Sequence, residues 1–298
     1  MKGTTARLSR TITWAGSRQA FLTIRLLVDK ALVDDAYRAY AYFRWVDDFI
    51  DSPIRSDSER TSFIQRQRDL VEHLYVDEQP PVLCREEEIA VDLINNDSGT
   101  NNGLQSYIRT MMDVMEFDAS RKGRLISEQE LTWYSDHLGK AVVDCIQYFI
   151  GNEYSYPHEP DQYKTAVAAH IVHMLRDMQQ DISNGFFNIP GEFLQANGIQ
   201  SGDVENQFLR DWVHDRVTQS RGLFKEGKAY LETTGVLRYR VAGHWYAARF
   251  EVVLDAIERD EYVLRSSYNK HLQPLGWLKL PATGIMPALR HIVRSNRP

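Results

Sequence analysis

Cysteine is scarce in this chain: its 298 residues hold two, Cys84 and Cys145, in no paired metal-ligand spacing. Two isolated thiols exclude a disulfide framework and a cysteine-ligated zinc site, and they point to a reducing cytosol. Long apolar runs are missing too. No stretch approaches 18 uncharged apolar residues, and residues 1–16 carry basic side chains without the apolar core of a signal peptide. The sequence therefore predicts no membrane span, while a peripheral membrane contact stays compatible with it. Basic blocks are absent and the net charge is −6, which argues against a nucleic-acid partner. The Gly-x-Gly-x-x-Gly fingerprint of a nicotinamide site is also lacking. A reducing enzyme need not carry that fingerprint, so NADPH is left unassigned. Convincing alternating strands, internal repeats and linkers long enough to separate domains are not found.

What remains is helical periodicity. Segments 26–50, 58–75, 105–116, 127–150, 163–182, 206–232 and 238–268 read as amphipathic helices. Breaks fall at Asp51-Ser-Pro, Gln79-Pro-Pro, the Asn/Gly-rich run 95–103, Gly151 with Pro157 and Pro160, and Gly185 with Pro190. Ser127-Glu-Gln-Glu130 fits a capping box and starts a helix at Glu128. The expectation is one all-α domain over residues 1–298, a helical bundle around a central cavity. Residues 273–298 form its C-terminal tail, either packed or in weak contact with a membrane surface. A monomer and a homodimer both suit this composition.

Two acidic clusters 130 residues apart stand out: Arg44-Trp-Val-Asp47-Asp48-Phe-Ile-Asp51 and Arg176-Asp177-Met-Gln-Gln-Asp181. Each sets two carboxylates at i and i+4, one helical turn apart on one face, with an arginine just upstream. Tyr40 and Arg44 extend the first stripe, and His170 and His173 the second. A single such cluster reads as a solvated helix face. Two, each inside apolar sequence, place four carboxylates where ionisation is unfavourable without a cationic partner. A hard divalent cation, Mg²⁺ with Mn²⁺ as substitute, is the simplest partner, and Mg²⁺ commonly shares its site with substrate phosphates. Such ions turn a diphosphate into a good leaving group. Arg44 and Arg176 can add bidentate phosphate contacts. The cation left behind would be allylic, with an isoprenoid tail needing a dry tunnel. Burying 15 carbons contributes on the order of 10 kcal/mol at roughly 0.8 kcal/mol per CH₂, and 12 Phe, 15 Tyr and 6 Trp are at hand to line it.

At these residues the chain resembles the squalene/phytoene synthase family, the head-to-head branch of the all-α isoprenoid synthases. Tyr40-x-x-x-Arg44-x-x-Asp47-Asp48-x-x-Asp51 matches the family's first motif. His173-x-x-Arg176-Asp177-x-x-x-Asp181, followed by Gly185 and Ile189-Pro190, is similar to the second. Weaker similarity covers Ser17-Arg18, Trp133-Tyr134 and residues 246–262. The resemblance implies Asp47, Asp51, Asp177 and Asp181 as metal ligands, with Asp48 in support. It implies Arg44, Arg176, Ser17 and Arg18 as diphosphate contacts. Tyr40 and Tyr134 would face the reacting carbons and the departing diphosphate.

Departures from the pattern are equally specific. His170 and His173 stand where the family has amides, so His173 is either a metal ligand or a diphosphate contact, and His170 a substrate contact. Lys140 is either a diphosphate contact or a solvated lysine. Val143 replaces a glycine and is expected to narrow the cavity, and Gly185-Phe-Phe-Asn188 lacks the family's Arg and Tyr. The expected activity is head-to-head condensation of two prenyl diphosphates. Alternatives are prenyl transfer to another acceptor such as an aromatic ring, terpene cyclisation, and a non-catalytic assembly role.

Overall fold

The computed structural model describes residues 2–76, 82–97 and 102–268. The breaks expected at 79–81 and 98–101 and the tail 273–298 lie outside these. Among the described residues there are eleven α-helices and no strand, as expected for an all-α fold. They are α1 (Lys2–Gly16), α2 (Arg18–Leu27), α3 (Val33–Asp51), α4 (Asp57–Tyr75), α5 (Glu87–Asn95), α6 (Gly103–Arg121), α7 (Glu128–Phe149), α8 (Lys164–Ser183), α9 (Gly191–Asn197), α10 (Gln207–Thr233) and α11 (Leu237–Arg259). None is long and apolar enough to cross a membrane.

Local chemistry sets the boundaries. Ser127 Oγ accepts from the Glu130 amide at 3.1 Å while Glu130 Oε2 accepts from the Ser127 amide at 2.8 Å, so α7 starts where the capping box predicts. Ser56 and Glu59 start α4 in the same way. The helix expected over 26–50 is interrupted, because Asp29 has other work. Its carboxylate accepts from the Gly151 and Asn152 amides at 3.0 and 2.9 Å and pairs with Arg238, tying the helix start to two distant segments. A short 3₁₀ turn at Lys30–Leu32 then leads into α3. The last helix ends at Arg259 rather than at 268. Glu261 and Tyr262 take left-handed backbone angles there, and the Tyr262 amide closes onto the Ile257 carbonyl at 3.0 Å.

Packing closes the helices into a ring. In order, α3 lies on α6, α6 on α7, α7 on α8, α8 on α11, α11 on α2, and α2 returns to α3. Within this ring α3 and α8 stand on opposite sides and do not pack closely on each other. Outside it, α10 braces α8 so tightly that a Cβ at Gly227 would come within 2.5 Å of the Thr165 backbone nitrogen. That close approach seats the first turn of α8 on α10.

Candidate active site

The two acidic stripes are coupled across the ring, the Asp51 charge acting on Asp181. Asp47 and His173 show the signature of cavity-lining groups. Their side chains are 36% and 52% accessible to water, yet burial is the leading cause of the shift at each. A surface residue would be accessible and unsurrounded, a core residue neither.

On α3, Arg44 pairs with Asp48 and reaches Asp47 at 3.6 Å. Asp47 and Asp51 are left undercompensated. Burial first, then the charges of Asp51 and Asp118, push Asp47 up to about 7. Burial and Asp118 raise Asp51 as well, against Lys122 and Arg44. On α8 the arginine is spent differently. Arg176 grips its own neighbour Asp177 with two bonds, one of 2.7 Å, and His173 Nε2 adds a third at 2.9 Å. These contacts overcome burial and hold Asp177 well below the usual carboxylate range. Asp181 is instead raised to about 7 by burial and by the charges of Asp177 and, across the ring, Asp51. That last interaction ties the two stripes to one space.

Cations surround this space without neutralising it. Arg249 of α11 lies within the field of Arg176, Asp177 and Tyr40, donates to Gln19 at 2.9 Å, and is pushed down by burial and by Arg176. Two guanidiniums close enough to repel are stabilised by an anion between or beside them. Lys122, at the end of α6, donates to the Asp51 carbonyl at 3.1 Å.

A third acidic element, which the sequence reading missed, forms the floor. Asp118 of α6 accepts from Arg121 Nε at 2.6 Å and from the Tyr134 hydroxyl at 2.9 Å. Arg121 also donates to Asn188 Oδ1 at 2.8 Å, and Asn188 Nδ2 donates to Asp181 Oδ2 at 2.8 Å. The chain of contacts thus runs from α6 through the loop after α8 to one of the undercompensated carboxylates. Its Asp-x-x-Arg spacing was visible in sequence, but that pattern is common on solvated helices. Asn188, read as part of a loss, turns out to bridge Arg121 and Asp181.

The remaining expected residues divide. Tyr40 is half-buried beside Arg44, Asp47, Arg249 and the Ser17 hydroxyl, with its own hydroxyl raised chiefly by burial. Ser17 Oγ also caps α2 through the Ala20 amide at 3.1 Å, and Gly16 lies against the Tyr40 ring, where a Cβ would sit 2.9 Å from its hydroxyl. Tyr134 is packed into the wall: Arg121 lies 4.8 Å over its ring, His170 meets it edge-on at 4.5 Å, and Asp118 takes its hydroxyl. His170 is 5% exposed and held neutral by burial, so it offers no positive charge to a phosphate. His173 is also pushed down, by burial first, and its Nε2 is engaged by Asp177.

Three residues are not brought to the carboxylates. Arg18 stacks on exposed Trp14 at 5.4 Å. Lys140 pairs with Asp144 and bonds Ser106 Oγ at 2.7 Å, some 12 residues or about 18 Å along α6 from Asp118. Val143 lies nine residues from Tyr134, about half a turn around α7, on the face where Gly139 meets Val167 of α8. It is buried, 5% exposed. The α7 face continuing from Tyr134 is half-buried Leu138, Val142, Cys145 and Ile146, an apolar strip about two turns long.

Oxygen-rich, undercompensated carboxylates fit Mg²⁺ or Mn²⁺ by donor chemistry. Among the described residues, no three His, Cys, Asp or Glu side chains converge into a ready coordination sphere. The fit is therefore one of charge and ligand type across a gap.

Comparison with known proteins identifies the fold and the family. The solved squalene synthase HpnC from Alicyclobacillus acidocaldarius has the same fold, with a TM-score of 0.67 at 17% identity over 88% of this chain and 95% of that one. A presqualene diphosphate synthase of Rhodopseudomonas palustris is 27% identical over 168 residues, and the match spans 56% of each protein. Members of the family are prenyltransferases acting on prenyl diphosphates. The squalene/phytoene synthase profile matches residues 14–275, which takes in both acidic stripes, the Asp118–Arg121 floor and the ring of helices, and the chain belongs to the squalene/phytoene synthase family.

Proposed function

We propose that this chain is a divalent-metal-dependent prenyltransferase that ionises an allylic prenyl diphosphate and joins it head to head with a second. The observation that carries the reading is the pair Asp47 and Asp181. They sit on helices that face each other across the ring, both are raised to about 7, and the Asp51 charge reaches from one stripe to the other. Isolated carboxylates so placed are unfavourable, and a site that retains them is built for positive charge brought by a ligand.

Asp47, Asp51 and Asp181, with Asp177 on the α8 side, would hold Mg²⁺ or Mn²⁺, which when bound supplies Lewis-acid neutralisation of diphosphate charge. The chain's own groups do the rest. Arg176 and Arg249 present guanidiniums to phosphate oxygens, and Lys122 stands at the α3 edge of the same space. His173, neutral and donating through Nε2 to Asp177, holds that carboxylate in place. Tyr40 reaches the space with its hydroxyl protonated, a donor to a departing oxygen. The Leu138–Ile146 strip gives the prenyl tail an apolar wall and keeps water from the cation.

The test is product analysis by mass spectrometry after incubating the purified protein and Mg²⁺ with C5 to C20 prenyl diphosphates, singly and in pairs. A C30 or C40 product, or its cyclopropyl diphosphate intermediate, is expected. Cyclic terpenes, or turnover only with an aromatic acceptor, would replace the condensation reading. No diphosphate release from any substrate would remove the catalytic one.

A further inference from the structure

The chain carries net charge −6, yet its first 28 residues hold Lys2, Arg7, Arg10, Arg18 and Arg25 and no Asp or Glu. The fold gathers four of these on one outer face. Arg7, Arg10 and Trp14 fall on one stripe of α1, and Arg18 and Arg25 on one stripe of α2. Trp14 is 49% exposed and meets Phe21 of α2 edge-on at 5.0 Å, with Arg18 over its ring. Phe21 in turn leans on Tyr37 at 5.1 Å, and Arg10 lies 5.6 Å above Tyr37. The two stripes are thereby one continuous patch, an aromatic ridge flanked by arginines, with Leu26 also 39% exposed at its far end. Asp34 pairs with Arg10 at 2.7 Å; Arg7, Arg18 and Arg25 have no carboxylate partner among the described residues.

Exposed Trp and Leu among unpaired arginines are the composition of a segment lying at a lipid interface. Nucleic acid would explain the charge but not the exposed apolar side chains. The patch also adjoins the site: Gly16 and Ser17, in the elbow between α1 and α2, touch Tyr40.

We propose that the α1–α2 face docks on an anionic membrane surface, with Arg7, Arg18 and Arg25 toward lipid phosphates and Trp14 and Leu26 in the interface. Because the elbow borders the site, docking opens the ring toward the bilayer, and a prenyl chain passes between them without crossing water. That passage rests on the function proposed above; the docking does not.

Sedimentation of the full chain with phosphatidylcholine vesicles, with and without about one third phosphatidylglycerol, tests this. The chain is expected to pellet with anionic vesicles only and to release as salt rises. Arg7→Glu with Arg25→Glu should lower partitioning at least tenfold, and Trp14→Ala with Leu26→Ser several-fold. Helical content and turnover of a water-soluble short-chain diphosphate should stay unchanged in the Trp14/Leu26 pair, so that one variant remains informative should charge reversal impair folding. Wild-type protein left in the supernatant overturns the proposal. So does equal pelleting of all variants, which assigns binding elsewhere, and so does displacement of the vesicles by a homopolymeric RNA. Vesicle binding without prenyl turnover would keep this proposal and undo the reading of the site, and turnover without vesicle binding the reverse.

Discussion

The two acidic helices carry nearly the same motif and use it oppositely. On α3 the upstream arginine pairs chiefly with Asp48, the outward carboxylate, and leaves Asp47 and Asp51 to repel each other. On α8 the arginine seizes Asp177 itself, aided by His173, and only Asp181 is left undercompensated. Equal spacing therefore does not mean equal electrostatics. The α3 stripe stores unpaired negative charge, whereas the α8 stripe is half preorganised and keeps a guanidinium beside the space.

Removing the undercompensated carboxylates breaks the comparison most severely. Asp47→Asn and Asp181→Asn should each lower turnover by about three orders of magnitude, because both remove charge that only a bound cation rewards. Steady-state kinetics at saturating Mg²⁺ reads this. A loss confined to one helix would mean that the stripes do not serve one centre.

Next is the floor that steadies the α8 side. Arg121→Ala leaves Asp118 buried without its cationic partner, with only the Tyr134 hydroxyl remaining, and should destabilise the protein by roughly 3–5 kcal/mol in chemical denaturation. Asn188→Ala, which removes one bond from Arg121 and one from Asp181, should cost about 2 kcal/mol. Equal effects would deny that Asp118–Arg121 is the anchor and Asn188 only the bridge.

The arginines sharpen the contrast further. Arg176→Gln unlocks Asp177 and removes a phosphate contact, so the KM for a prenyl diphosphate should rise roughly 10- to 100-fold. Arg44→Gln, whose main partner is exposed Asp48, should change it less. Reversal of that order would show the α3 arginine to be the one facing substrate.

The smallest effect is on pH. Asp47 and Asp181 are at about 7 in the folded protein and near 3.9 unfolded. Between those values the folded state binds more protons, so metal-free stability falls as pH rises from about 4 to 7. Solvent in the cavity screens the effect to about 1 kcal/mol. Asp177, lowered rather than raised, contributes stability lost only in stronger acid. Denaturation at pH 5 and pH 8 should show the fall in the wild type and little of it in the Asp47→Asn/Asp181→Asn double variant.

Much of this was legible in the chain. Helical periodicity gave the fold class, the capping box placed α7 to the residue, and the i, i+4 carboxylates marked both site helices. What escaped was tertiary. Asp29 looks like any helix-interior acid until its carboxylate is seen binding two amides and Arg238 from elsewhere. Arg249 and Asp118 lie in segments where charge ordinarily faces water, and only ring closure turns them inward. The α3–α8 asymmetry was hidden as well, since an arginine upstream of each cluster does not reveal which carboxylate it grips.

The central claim is that the α3 and α8 carboxylates act on one shared space. Calorimetric titration of Mn²⁺ in the presence of inorganic diphosphate, on wild type, Asp47→Asn, Asp181→Asn and the double variant, measures it directly. A shared space predicts that either single substitution weakens binding at least tenfold and that the double variant loses little more. Additive losses, or one substitution without effect, would mean two separate sites and would contradict the account.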